Sequence, residues 1–87
     1  MWIRNSFIVL VASFSINLTA IAQDCFSVNS SFIEKACYSS ETQRLELILN
    51  GGSYNYCGVS EATFDSFLSA SSKGSYYNQY IKGRFRC

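Results

Sequence analysis

Apolar and polar positions alternate most regularly between residues 45 and 56. Leu45-Glu46-Leu47-Ile48-Leu49 leads into Gly51-Gly52, and Tyr54-Asn55-Tyr56 follows. Gly-Gly supplies the positive φ that a short hairpin turn requires, so the stretch predicts a β-hairpin with Gly51-Gly52 as its loop. That loop sets Leu49 opposite Tyr54 and Leu47 opposite Tyr56. Side chains alternate along a strand, so the three leucines and both tyrosines share one face. A one-residue slip would turn that face to solvent.

On either side the pattern changes. Residues 23–32 are polar, with Phe26, Val28 and Phe32 spaced to touch the rim of a core. Ile33 to Tyr38 predicts a strand with Ala36 and Tyr38 on one side and Cys37 on the other; residues 39–43 form a polar connection. Ser60 is a good helix N-cap, and Glu61 then stands in the positive first turn. Phe64, Phe67 and Leu68 follow at i, i+3 and i+4, an apolar stripe suited to the Leu/Tyr face of the sheet. Gly74 is placed to stop this helix. Tyr77, Tyr80 and Ile81 repeat the spacing over a turn or two and Gly83 ends them. Arg84-Phe85-Arg86 alternates and predicts a short last strand. The expected fold is α+β: an antiparallel meander of three or four strands, covered by one helix and a short C-terminal helical turn.

The N-terminal 22 residues read differently. One positive charge, Arg4, precedes an apolar run from Phe7 to Ala12, which continues with polar interruptions to Ala22. Ala20-Ile21-Ala22 has the small-x-small form of an export cleavage site. The uninterrupted run is shorter than the roughly 20 apolar residues of a membrane span. Residues 1–22 are therefore expected to be a cleaved signal peptide and 23–87 the domain, periplasmic or secreted. Asp24 before Cys25 argues against a lipid-acceptor cysteine. In a eukaryotic secretory pathway, Asn29-Ser30-Ser31 would be a glycosylation sequon.

So small a domain stands near the lower limit for a self-sufficient core. Its four cysteines, Cys25, Cys37, Cys57 and Cys87, predict two disulfides in an exported chain. Their spacings of 12, 20 and 30 residues, without any histidine, do not suit a metal site. If Leu45 faces Tyr38 and Gly58, Glu46 stands between Cys37 and Cys57, two strand spacings or roughly 9–10 Å apart. A disulfide needs Cα atoms within about 7 Å. Each of these two cysteines is then expected to bond a terminal one, Cys25 or Cys87, in either order.

From Val28 to Phe85 the chain resembles the KTSC domain, a module of about sixty residues named for the C-terminus of some lysyl-tRNA synthetases. The resemblance lies in Ser30-Ser31-Phe32-Ile33 leading to Tyr38, the Leu45/Leu47/Leu49 strand, the Y-x-Y of Tyr54-Asn55-Tyr56, and Val59. It continues through Ala70, Ser72-Lys73-Gly74-Ser75-Tyr76-Tyr77-Asn78, Ile81 and Arg84-Phe85. Cys37 replaces a customary glycine, and Ser60 a proline. RNA binding has been suggested for the family, whose function is regarded as unknown; the cysteines suggest an exported branch and weaken the inheritance of that cytosolic role.

Chemistry is sparse. Without histidine, serine and cysteine nucleophiles lose their commonest base. Ser-x-x-Lys fails because position 70 is alanine; Glu61 and Asp65, at i and i+4, read as a solvated pair. No phosphate-cradling glycine loop is present. The expectation is a non-enzymatic domain without cofactor or metal.

Charge adds a direction. Residues 23–72 hold two basic residues against six acids, whereas residues 73–87 hold four basic residues and no acid. Lys73, Lys82, Arg84 and Arg86 interleave with Tyr76, Tyr77, Tyr80 and Phe85, a cation-and-ring pattern suited to an anionic partner. Lys73, Tyr76, Lys82, Arg84 and Arg86 are the candidate binding residues, with Tyr54 and Tyr56 added from the sheet rim, where a phenol can serve core and ligand together. The expected partner is a protein or an anionic component of the cell envelope. Single-stranded RNA or another nucleic acid is the alternative.

Overall fold

A computed structural model describes residues 23–87; the expected leader, 1–22, lies outside the described residues. Four strands follow one another: β1 (Asp24–Ser27), β2 (Ile33–Ser39), β3 (Arg44–Leu49) and β4 (Gly52–Tyr56). They form one antiparallel sheet in the order β1-β2-β3-β4. Helix α1 (Glu61–Ser69), the single turn α2 (Lys73–Tyr76) and a π-helical turn (Tyr77–Ile81) complete the layer over it. The α+β meander expected from the pattern is the observed one, but its fourth strand is N-terminal. Residues 84–86 are not a strand, because Phe85 adopts φ +56°. That angle takes the chain out of the extended region.

The hairpin differs in its loop. Asn50 and Gly51 are the residues with positive φ, +51° and +82°, and Gly52 already pairs with Leu49. Asn50-Gly51 meets the demand for two successive left-handed residues as Gly51-Gly52 would, since asparagine tolerates that region. Leu47 consequently faces Tyr54, and Leu45 faces Tyr56. The shift is two residues, so facing is preserved. Leu45, Leu47, Leu49 and Tyr56 are buried. Glu46 is opposite Asn55, which carries Cys57 beyond the ladder and away from Cys37.

Strand β2 carries a bulge: Ile33 pairs with Leu49 but Lys35 with Ile48. Glu34 is the extra residue, and it lets Ile33 join Ala36 and Tyr38 on the core face although its parity is opposite. All three are buried. Side chains of Phe67, Ile33, Leu45, Leu47, Ile81 and Val59 are fully enclosed, each burial contributing roughly 1.5–3 kcal/mol.

Helix α1 begins as its sequence suggests, with the Ser60 hydroxyl accepting a bond from the Thr63 amide at 3.1 Å. It ends at Ser69, before Gly74. Gly74 lies inside α2, where a Cβ would come within 2.9 Å of the Phe32 ring. The glycine permits close approach and does not terminate a helix. The α2 turn runs directly into the π turn, which turns Tyr77 and Ile81 to the core and leaves Tyr80 52 % exposed.

Two disulfides close the chain, Cys25–Cys37 and Cys57–Cys87. The first joins directly opposed residues of β1 and β2, with Cα atoms 4.0 Å apart. The second ties the end of β4 to the last residue of the sequence.

Candidate binding surface

The expected binding residues separate into three groups. Tyr56 belongs to the core: its hydroxyl meets that of Tyr77 at 2.9 Å, with the rings edge-to-face. Burial first, and the Tyr77 hydroxyl second, push the Tyr56 phenol well above the usual tyrosine range. Lys73 and Tyr76 are half-buried. Lys73 Nζ donates to the Ala70 carbonyl at 3.1 Å and so closes the C-terminus of α1. Tyr76 leans its ring on Phe67.

Exposed residues form the third group. Lys82, Arg84 and Arg86 all face solvent. Tyr80 packs on Tyr76, ring centroids 4.7 Å apart, and so presents a supported aromatic face beside them in sequence. Tyr54 is 51 % exposed and folds over Gly52 at the rim of β4. It lies on the core face of the strand, yet no described helix covers it.

What holds the cationic segment in shape is local. Gly83 takes φ +74°, and the Arg84 amide donates to the Ile81 carbonyl at 2.9 Å. Phe85 packs against the core, and its carbonyl accepts from the Cys57 amide at 2.8 Å. Cys87 is then bonded to Cys57. Arg84 and Arg86 therefore project from either side of an anchored residue.

A second feature was missed by sequence reasoning. A groove of about 270 Å³ runs between the outer strand β1 and helix α1, with Phe26 and Phe64 in its floor and Asp24, Glu41, Glu61 and Asp65 around it. Phe26 remains 40 % exposed although its ring meets Phe64 at 5.9 Å, and Phe64 stacks on Tyr38 at 4.5 Å. The Tyr38 hydroxyl donates to the Val59 carbonyl. Its pKa is raised by burial first, then by the charges of Glu61 and Asp65. The only signal in the sequence was Glu61 and Asp65 on one helix face; the partners from β1 and the 40–41 turn come from distant positions. Among the described residues, no cluster of His, Cys, Asp or Glu is arranged to hold a metal ion. No described helix is long and apolar enough to cross a membrane.

Comparison with known proteins gives a consistent result. The family model of the KTSC domain matches residues 29–85. A crystal structure of a KTSC domain protein from Yersinia pestis superposes with a TM-score of 0.72 at 37 % identity, covering 76 % of this chain and 94 % of that one. A protein from Tsukamurella paurometabola is 43 % identical over 60 residues, 68 % of this chain and 90 % of its own length. A lysine–tRNA ligase from Trichormus variabilis is 36 % identical over 67 residues, 76 % of this chain. The match takes in only 12 % of the ligase. Cys25 and Cys87 both fall outside the family match, whereas their partners Cys37 and Cys57 fall inside it.

Proposed function

This chain is a member of the KTSC family, and from that premise we propose that it is an exported, non-catalytic binding module whose contact surface is the cationic segment Lys82–Arg86 with the Tyr80 ring beside it. One observation carries the reading. The segment has little regular structure of its own, yet a hydrogen bond and a disulfide to Cys57 fix it with three cations outward. Pre-ordering a charged segment lowers the entropy lost on binding. The partner that suits it is anionic: an acidic protein or a negatively charged component of the cell envelope. Tyr76 supports the Tyr80 ring, whereas Lys73 caps α1 and Tyr56 belongs to the core.

Export is part of the same proposal. The signal-like residues 1–22 and two cystines in so small a domain suit an oxidising compartment. Intact-mass measurement on protein recovered from the cell envelope tests it. The expected mass lacks residues 1–22 and contains no free thiol; a retained leader or four thiols would overturn the proposal.

Immobilised protein tests the contact surface. Envelope material is passed over wild type and over an Arg84→Glu/Arg86→Glu variant, with washes of rising salt. Wild type should retain anionic components that salt releases, and the variant should lose on the order of tenfold or more of that capture. Equal capture by the variant refutes the surface. A second reading, single-stranded nucleic acid, is favoured by the supported Tyr80 face alongside cations. The ligase relative points the same way. Recovery of RNA alone would establish that reading in place of the first.

A further inference from the structure

The cationic segment and the acidic groove lie at opposite edges of one sheet. The groove borders β1, and the segment is fastened to the end of β4, with β2 and β3 between. Three strand spacings separate those edges, roughly 14 Å. Within one molecule the segment is held at Cys57 and none of its residues lines the groove. A second molecule can fill it.

We infer that the groove between β1 and α1 docks the Arg84–Arg86 segment of a second copy of the chain, a guanidinium lying over the exposed Phe26 ring between the carboxylates. This rests on the reading of that segment as the contact surface, and it names one partner for it.

Three features of the groove select this occupant. Its floor is aromatic, and Phe26 is a large apolar side chain left 40 % exposed on an outer strand. Its ring packs on Phe64 on one side and leaves the other open to a partner. Four carboxylates surround that floor, yet they are not gathered as metal ligands require. A planar organic cation fits both elements together, because guanidinium stacks on rings and forks to carboxylates. Burial first, and then the charges of Glu61 and Asp65, raise the Tyr38 pKa at the groove's inner wall. Charge complementarity identifies the copy: two basic residues against six acids in residues 23–72, and four basic residues without an acid in 73–87. Groove and segment are different surfaces, so the contact is heterologous and runs head to tail.

Sedimentation of the purified, disulfide-bonded protein tests this at low and high salt. Wild type should gain weight-average mass with concentration at low salt and revert to monomer at high salt. Glu41→Lys/Asp65→Lys reverses the groove and Arg84→Glu/Arg86→Glu reverses the segment; each variant alone should remain monomeric. Mixed one to one, they should associate again, since the untouched groove of one meets the untouched segment of the other. Phe26→Ala, which leaves every charge in place, should weaken association on the order of tenfold. A wild type that stays monomeric at every concentration overturns the inference, as does association indifferent to the groove variant or a mixture that fails to associate. If the segment variant loses envelope capture while wild type is monomeric, the inference falls and the contact surface stands. If capture survives in the segment variant, the contact surface itself falls.

Discussion

The two edges of the sheet are closed by the same chemistry in different ways. At the β1 edge, Cys25 and Cys37 are already partners in a strand ladder, and the disulfide reinforces a neighbour relation that hydrogen bonds establish. At the β4 edge, Cys57 and Cys87 join residues with no regular pairing between them beyond the Cys57–Phe85 bond. In each case the family-matched domain supplies one cysteine and the flank supplies the other. The first bond therefore adds a strand to a sheet, whereas the second shapes a loop. One extends the scaffold, and the other fixes the surface proposed to bind.

Removing the bonds one at a time separates these roles. Cys57→Ser/Cys87→Ser opens the longer loop, with a sequence separation of 30 against 12 for the other pair. Chain-entropy arguments give a loss of about 4 kcal/mol for the longer loop and about 3 kcal/mol for the shorter. A core of this size supplies only about 3–5 kcal/mol in total. The Cys57/Cys87 variant should then be largely unfolded near 37 °C, whereas Cys25→Ser/Cys37→Ser should keep a cooperative transition at lower temperature. Thermal unfolding followed by circular dichroism measures both. Equal losses, or a larger one at the β1 edge, would show that the ladder pair carries more than reinforcement.

How much of this contrast the sequence disclosed differs between the edges. The strands around Leu45–Leu49 were legible, since period-2 alternation marks a half-buried strand whatever surrounds it. Ser60 and Phe64/Phe67 were legible for the same local reason. The turn falls one residue earlier than Gly51-Gly52 suggests, because Asn50-Gly51 also satisfies the requirement for positive φ. Strand β1 left no such trace. Asp24-Cys25-Phe26-Ser27 is exposed throughout and is ordered by pairing with β2, a long-range cause that composition does not carry. Phe85 reversed the opposite expectation, because its alternating neighbours look extended while the tether to Cys57 forces a left-handed residue. Among the candidate site residues, charge singles out Lys82, Arg84 and Arg86, and all three are exposed. Exposure sorted Tyr54 from Tyr56, and that depends on where the covering layer ends.

A smaller effect sharpens the same comparison from within the core. Beneath the β4 edge, Tyr56 and Tyr77 share a buried hydroxyl pair; beneath the β1 side, Tyr38 bonds to a backbone carbonyl. Burial and the neighbouring hydroxyl hold the Tyr56 pKa above the usual tyrosine value, so the folded state favours its neutral form. That preference is fully present below the ordinary tyrosine pKa of about 10. It is lost as pH climbs from there through the raised folded value, because the unfolded chain ionises first. Stability should therefore fall above about pH 10. Tyr56→Phe should cost roughly 0.5–1.5 kcal/mol at neutral pH, where one hydrogen bond is removed. It should also flatten the alkaline decline, since its proton is no longer available to lose. Denaturant titrations of both proteins at neutral and strongly alkaline pH supply the comparison. Parallel declines in the two would transfer the alkaline sensitivity to the Tyr38 side, and the β4 edge would then depend on its disulfide more than on the phenols under it.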